Sequence, residues 1–152
     1  MNRLVSYLIE KGHLKNISVI QAFLEINRQI FISSKYHSYV NKNVVIPIGF
    51  GQTNSQPSTV AFMLELLDIN SGHKILDIGS GSGWTTSLLS YLVGEEGKII
   101  AVEIIEELKE LGEKNAEKFN FVSNGRASFF KSDGNNGWRK GAPYDRILVS
   151  AE

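Results

Sequence analysis

The sequence predicts an α/β fold, a Rossmann-like doubly wound sheet that follows an N-terminal helical segment. One observation is a short apolar run at Ile75–Ile78, typical of a buried strand, which leads directly into a glycine-rich turn. Another is that further strand-like runs follow, at residues 98–102, 127–131 and 144–150. Helical segments separate the first of these runs, and strands that alternate with helices indicate a parallel sheet with helices packed on its faces.

The remaining elements are predicted from apolar residues at helical spacing. These residues predict helices near 3–11, 19–32, 57–70, 83–93 and 106–119. We divide the chain into an N-terminal segment, residues 1–57, and a core, residues 58–152. Both are expected to belong to one domain overall, and we expect that domain to be incomplete.

Composition limits the class of protein. The 152 residues suffice for one domain with a hydrophobic core. Sixteen basic and sixteen acidic residues cancel, so no net charge attracts the chain to nucleic acid or to an anionic membrane, and we expect neither as a partner. There is no cysteine, and no apolar run approaches the roughly 20 residues that span a bilayer, so we predict a cytoplasmic location.

The turn at residues 79–83 predicts a nucleotide site. Glycine lets the backbone turn sharply, and the helix that follows points unpaired N–H groups at a ligand above the turn. The spacing is G-x-G-x-G with Asp77 two positions earlier, whereas the dinucleotide fingerprint requires a third glycine where Trp84 stands. This difference disfavours a nucleotide-binding oxidoreductase. The alternative to any ligand site is that the glycines only form a turn.

Two carboxylates are expected to join this turn at the same edge of the sheet. Glu103 ends the second strand of the core, where an acidic residue commonly accepts hydrogen bonds from ribose hydroxyls. Asp133 follows the third strand, where it is placed to accept from an adenine amino group. The alternatives are that Glu103 belongs to the acidic start of the next helix and that Asp133 forms only an Asp-Gly turn.

The segment Pro47–Pro57 is predicted to be an ordered loop, neither helix nor strand. It combines glycines and prolines with hydroxyl and amide side chains that are able to contact a ligand. The alternative is that Ser55 or Gln56 caps a helix whose first residue is Pro57.

Several separated motifs resemble one family. They are Gly51-Gln52-Thr53-x-Ser55-Gln56-Pro57, Leu76-Asp77-Ile78-Gly79-Ser80-Gly81-Ser82-Gly83, Val102-Glu103 and Asp133-Gly134-x-x-Gly137-Trp138. The glycine motif resembles that of class I S-adenosylmethionine (SAM) methyltransferases in general, and the first and last motifs are much more specific. Along nearly its whole length the chain resembles the protein-L-isoaspartate (D-aspartate) O-methyltransferase family.

The resemblance implies methyl transfer from the cofactor SAM to the free carboxylate of L-isoaspartyl or D-aspartyl residues in damaged proteins and peptides. It implies that the hydroxyls of Ser55 and Thr53 orient this carboxylate and that Asp77, also a catalytic candidate, lies near the methionine end of SAM. The implied cofactor-binding residues are Asp77, Gly79, Ser80 and Gly81, with Gly83, Glu103 at the ribose, and Asp133 with Gly134 at the adenine. No metal site is expected.

The chain also departs from the family pattern. The departures are Asn54 for a usual Ile, Asn43 for a common acid, Ile104 for a frequent basic residue and Ser132 for a glycine. They affect the acceptor side most, so a SAM-binding domain with a different acceptor, or one inactive through truncation, stays an alternative. Family members continue beyond a fourth strand. We therefore expect a missing C-terminal segment or a homodimer to cover the edge that this strand would otherwise expose.

Overall fold

The computed structural model describes residues 2–151. Its helices are α1 Arg3–Glu10, α2 Ile17–Glu25, α3 Pro57–Leu67, α4 Trp84–Val93 and α5 Glu106–Glu117. Its strands are β1 Ile46–Gly49, β2 Gln52–Asn54, β3 Lys74–Ile78, β4 Lys98–Glu103, β5 Ala127–Lys131 and β6 Arg146–Val149. Short 3-10 turns lie at Arg28–Phe31, Ser34–Tyr39, Gly134–Asn136 and Arg139–Gly141. The prediction of an α/β fold with an N-terminal helical segment is confirmed.

Asparagine side chains begin the N-terminal helices. The Asn2 side chain accepts from the Leu4 N–H at 2.8 Å, and the Asn16 side chain accepts from the Ser18 N–H at 2.8 Å. Each contact satisfies one of the backbone donors that have no partner in the first turn of a helix. The helices therefore begin at positions fixed by local sequence, and their apolar faces then pack inward.

The main sheet contains four parallel strands in the order β5-β4-β3-β6. Leu76 in β3 pairs with Ile100 in β4 on one side and with Ile147 in β6 on the other. The chain proceeds outward from β3 to β4 and β5 and then crosses back to place β6 on the opposite side of β3. In open α/β sheets, ligands bind at the carboxyl ends of the strands beside such a reversal of order.

Alternate strand residues face two different apolar clusters. The larger cluster joins the sheet to helices α1 to α5, and it includes Leu8, Phe23, Leu64, Ile75, Leu88, Leu89, Ile99 and Ala116. Each fully buried Leu or Ile in it contributes about 1.5–3 kcal/mol relative to an exposed one. The smaller cluster, on the other face, contains Leu76, Ile100 and Val102, and the stacked rings of Phe130 and Trp138 pack against it at 4.6 Å. The N-terminal helices thus share the larger core, while the boundary at residue 57 stays a prediction.

Two features of the chain bear on the predicted edge and loop. Strand β6 lies at the edge of the sheet, with Leu148 buried but Ile147 and Val149 more than half exposed.

The prediction that residues 47–57 contain no strand is wrong, because β1 and β2 pair antiparallel. The reversal between them uses positive φ angles at Gly49, Phe50 and Gly51, and Phe50 is not a residue from which such a turn is expected.

Candidate active site

The glycine turn, residues 79–83, joins β3 to α4 at the point where the strand order reverses. Its glycines have φ angles of 84°, 53° and 89°, which other residues rarely adopt. A Cβ atom at Gly83 would lie 2.7 Å from the carbonyl oxygen of Gly112 in α5, and one at Gly79 would lie 2.6 Å from the Cβ of Ala151. The turn is therefore packed so closely that these two positions require glycine.

Glu103 is the last residue of β4 and is only 6% exposed. Its Oε2 accepts a hydrogen bond from the Gly81 N–H at 2.8 Å, and its Oε1 accepts from the Ile105 N–H at 3.3 Å. Because α5 begins at Glu106, Glu103 lies before that helix, and the alternative that placed it in the acidic first turn is wrong. A carboxylate has about four acceptor positions, so this one retains capacity for a ligand.

Asp77 is completely buried behind the glycine turn. Thr86 Oγ1 donates to its Oδ2 at 2.6 Å, while Oδ1 has no hydrogen-bond partner within residues 2–151. Burial raises the pKa of the Asp77 carboxyl to about 6, and repulsion from Glu103 adds to the effect, although the Thr86 hydrogen bond opposes it. Asp77 is thus a buried carboxylate that lacks part of the hydrogen bonding its charged form needs.

A cavity of about 580 Å³ opens at the carboxyl edge of the sheet, and we call it the edge cavity. Apolar side chains of the strands, among them Leu76, Ile78 and Val102, form one part of its lining. Its polar lining includes Gly79, Glu103, Ser132, Asp133 and Gly134. Loops after three strands thus meet in one space, whose volume is within the range of small-molecule sites, about 300–1,000 Å³.

Asp133 and Gly134 shape one wall of the edge cavity. Asp133 Oδ1 accepts from the Asn135 N–H at 3.0 Å and so caps a 3-10 turn. The predicted Asp-Gly turn is therefore present, and the same residues also line the cavity. Gly134 lies against Ile78, whose Cγ2 would collide with any Cβ at this position. Glycine is therefore required here by the close approach of Ile78.

A smaller space, the hydroxyl pocket, lies between the β1–β2 hairpin and the glycine turn. Its volume is about 30 Å³, and its lining is Thr53, Asn54, Ser55, Gly79, Ser80, Gly81, Ser82, Trp84, Thr85 and Ser150. Ser80 Oγ and Trp84 Nε1 are buried and have no partner within residues 2–151. Buried polar groups are nearly always hydrogen-bonded, so the residues around this pocket have hydrogen-bonding capacity that the chain itself leaves unused.

The start of α3 differs from the predicted cap. Pro57 is the first residue of the helix, as the capping alternative required, but neither Ser55 nor Gln56 caps it. Instead, Asn43 Oδ1 accepts from the Ser58 N–H at 2.8 Å. The capping interpretation of Ser55 is therefore wrong, and Asn43 has the acceptor atom that the acid common in the family would also supply.

Arg28 is a residue of this region that sequence reasoning missed. It is 3% exposed, and its donors reach the chain segments on both sides of the hairpin. Nε donates to Asn54 Oδ1 at 2.8 Å, Nη1 to the Lys42 carbonyl at 3.1 Å, and Nη2 to the carbonyls of Val44 at 2.7 Å and Ser55 at 3.1 Å. The guanidinium also lies 5.2 Å from the ring centre of Trp84. The one signal in the sequence is Asn54, a polar residue where the family usually has Ile.

The predicted site residues fall into three groups. Gly79, Glu103, Asp133 and Gly134 line the edge cavity, and Thr53, Ser55, Ser80 and Gly81 line the hydroxyl pocket. Gly79 lines both spaces. Asp77 and Gly83 line neither, and they lie behind the glycine turn, where they are packed against α4 and α5 respectively.

Elsewhere in the described chain the features that a catalytic or metal site needs are missing. A cavity of about 590 Å³ between the hairpin and α5 is lined by Ile30, Tyr36, Ile48, Leu111 and Lys118 among others, and no carboxylate lies in it. Within residues 2–151 no group of three or more His, Cys, Asp or Glu side chains is placed to hold a metal ion. Over the same residues, no helix has both the length and the apolar character needed to cross a membrane.

Comparison with known proteins identifies relatives along the whole chain. The family model for Protein-L-isoaspartate(D-aspartate) O-methyltransferase (PCMT) matches residues 1–152. A protein-L-isoaspartate O-methyltransferase of Thermococcus sibiricus is 38% identical over 149 residues, which are 98% of this chain and 66% of that protein. A solved protein-L-isoaspartate O-methyltransferase is 31% identical, with a TM-score of 0.83 over 97% of this chain and 46% of its own.

A structure from Plasmodium falciparum assigned to the same enzyme class shows the shared fold. Its TM-score is 0.86 at 19% identity, over 99% of this chain and 73% of its own. The chain spans about two thirds of the length of the curated relatives that it matches. From the family match over residues 1–152, together with the fold, we conclude that the chain belongs to the protein-L-isoaspartate (D-aspartate) O-methyltransferase family.

Proposed function

We propose that this chain transfers the methyl group of SAM to the free carboxylate of L-isoaspartyl or D-aspartyl residues in damaged proteins and peptides. The observation that carries this proposal is the hydroxyl pocket with its two buried polar atoms, which shares the wall at Gly79 with the edge cavity. A cofactor in the edge cavity and a carboxylate in the hydroxyl pocket would meet across this single residue.

The residues of the edge cavity fit SAM. Glu103 retains acceptor positions for two ribose hydroxyls, and Asp133 with the backbone of Gly134 would hold the adenine. Asp77 lies buried behind the turn and lines neither space, so its carboxylate would attract the ammonium of the methionine part through the turn and not by direct contact. Ser80, Gly81 and Gly83 would shape the turn beneath the cofactor. The Plasmodium structure is a complex with S-adenosyl-L-homocysteine, so the shared fold accommodates such a ligand in that protein.

The acceptor carboxylate needs no catalytic base. It is ionised at neutral pH and is already a nucleophile, while SAM supplies an electrophilic methyl group. Thr53 and Ser55 would donate hydrogen bonds to one carboxylate oxygen and direct the other toward the cofactor. The hydroxyl pocket has room for only about one water-sized group, so the substrate would displace solvent as it enters. Positioning and exclusion of water are thus the contributions of these side chains.

Titration calorimetry tests the cofactor assignment. We expect the chain to bind S-adenosylhomocysteine and not NAD, because Trp84 replaces the third glycine of the dinucleotide fingerprint. Methyl incorporation from SAM into an isoaspartyl peptide is then compared with incorporation into the same peptide with normal Asp. Binding of NAD alone would contradict the cofactor assignment, and equal labelling of the two peptides would favour a different acceptor.

Replacement of Ser55 tests the acceptor side. S55A is expected to lower turnover at least about tenfold, since a hydrogen bond to a charged group contributes about 1.5–3 kcal/mol. S-adenosylhomocysteine affinity should change by less than about twofold. S58A is the matched control, because Ser58 lies on α3 outside the pocket. If S55A lowered affinity and turnover equally, the hydroxyl would have a structural role.

Partners and location are proposed more generally. Isoaspartyl proteins are the proposed substrates, and further polypeptide, either a second copy of the chain or a segment beyond this sequence, would cover the exposed edge at β6. Light scattering tests whether two copies of the chain associate. A chain that stays monomeric at all concentrations and unfolds cooperatively would contradict association through β6. The predicted cytoplasmic location stays a prediction, which fractionation of producing cells would test.

A further inference from the structure

Arg28 is a buried cation with no carboxylate within ion-pair distance among residues 2–151. The ion pairs within residues 2–151 are Lys109 with Glu113 and Lys131 with Glu106, and neither includes Arg28. Its hydrogen-bond acceptors are three backbone carbonyls and the neutral amide of Asn54. Burial lowers the pKa of the guanidinium to about 10, so it still carries its charge at neutral pH. An arginine this deeply buried is normally paired with an acid.

The position of this charge relates it to the hydroxyl pocket. Arg28 contacts Asn54, the backbone of Ser55 and the ring of Trp84, and all three residues line that pocket. The cation therefore lies directly behind the pocket wall. A charge removed from water acts at short range with an effective dielectric constant of about 20 rather than 80, so it attracts an anion in the pocket more strongly than a surface arginine would.

Asn54 determines that the charge remains uncompensated. It accepts from Arg28 Nε and fixes the guanidinium, yet it carries no charge itself. An aspartate at this position would keep the hydrogen bond and neutralise the cation, and an Ile would leave Nε without its acceptor. The residue that departs from the family pattern is thus the one that holds Arg28 in place as a cation.

We propose that Arg28, held by Asn54, is a positioning and specificity-determining residue that makes the hydroxyl pocket select an anionic carboxylate over a neutral amide. This inference rests on the proposed function, since it assigns the acceptor to the hydroxyl pocket. The Arg28 side chain would fix the Ser55 backbone and supply the pocket with positive potential. The hydroxyls of Thr53 and Ser55 would make the direct contacts with the carboxylate.

The test uses the full chain saturated with S-adenosylhomocysteine, so that binding is measured without turnover. Calorimetry compares an isoaspartyl peptide with the same peptide carrying isoasparagine, its neutral isostere. N54D is expected to weaken binding of the acid about tenfold, to change binding of the amide by less than about twofold, and to raise the melting temperature because Arg28 gains an ion pair. N124D is the matched control, since it adds the same charge at an exposed site.

Substitutions of Arg28 separate charge from structure. R28K keeps the charge but loses the planar fork, so its acid-to-amide affinity ratio should stay within about threefold of the parent although its melting temperature falls. R28M should lose the preference. If N54D or R28M kept the parent ratio, Arg28 would be only structural and this inference would fail. If the parent chain bound neither peptide, the proposed function would fail, and the inference with it.

Discussion

The glycine turn and the β1–β2 hairpin face each other across the hydroxyl pocket, but they are held in place differently. The turn is fixed by backbone packing against Gly112 and by the Gly81 N–H that donates to Glu103. Among residues 2–151 the hairpin strands pair only with each other, and the guanidinium of Arg28 ties their flanks to the rest of the protein. The cofactor side of the site thus depends on a contiguous motif, and the acceptor side on one distant side chain.

The largest effect is expected from filling the space at the glycine turn. G83A should lower the free energy of unfolding by about 2–5 kcal/mol, because alanine is strained at a φ of 89° and its Cβ would overlap the Gly112 carbonyl. Urea unfolding measures the loss. The control is G125A, where φ is also strained, at 80°, but the added Cβ would meet no neighbouring atom within 4 Å. Only about 1–2 kcal/mol should therefore be lost. Equal losses in the two variants would show that backbone packing does not hold the turn.

The next effect concerns the carboxylate behind the turn. Burial raises the pKa of Asp77 from 3.8 to about 6, so the folded protein binds this proton more tightly than the unfolded chain. The stabilisation that the folded protein gains from binding this proton is fully present below about pH 4 and is lost as the pH rises through about 6. The free energy of unfolding thereby falls by about 3 kcal/mol.

D77N should remove that part of the pH dependence, since its amide stays neutral and can still accept from Thr86. Urea unfolding of both proteins between pH 4 and 7 measures the difference. D68N, which replaces an exposed carboxylate, is the control. If the free energy of unfolding changed with pH in the same way in the parent and in D77N, the raised pKa would not belong to Asp77.

The smallest effect is expected on the hairpin side. N43A should lower the free energy of unfolding by about 1 kcal/mol, because the Ser58 N–H loses its acceptor at the start of α3. N43D keeps an acceptor there and adds a negative charge beside a helix N-terminus, so it should match or exceed the parent. Thermal unfolding compares the three proteins. A loss in N43D as large as in N43A would show that geometry at this position, rather than the cap, matters.

The same contrast explains what the sequence alone revealed. The positions of the four parallel strands, the turn and the place of Glu103 follow from local periodicity and glycine spacing, and the structure has them close to where they were predicted. The cap from Asn43 to Ser58 and the contact from Arg28 to Asn54 join residues far apart in sequence, so no window of neighbouring residues contains them. The hairpin was missed because Phe50 adopts a positive φ that its residue type does not favour.

The hydrogen bonds of Glu103 also have a kinetic and entropic meaning. Because Gly81 and Ile105 already fix this carboxylate, the freedom lost by a glutamate side chain, about 1.5–2 kcal/mol, is lost during folding rather than during association. A sugar arriving at the edge cavity would meet an oriented acceptor and would not have to wait for a rotamer search. Any gain in affinity from this preorganisation is therefore a property of the fold itself.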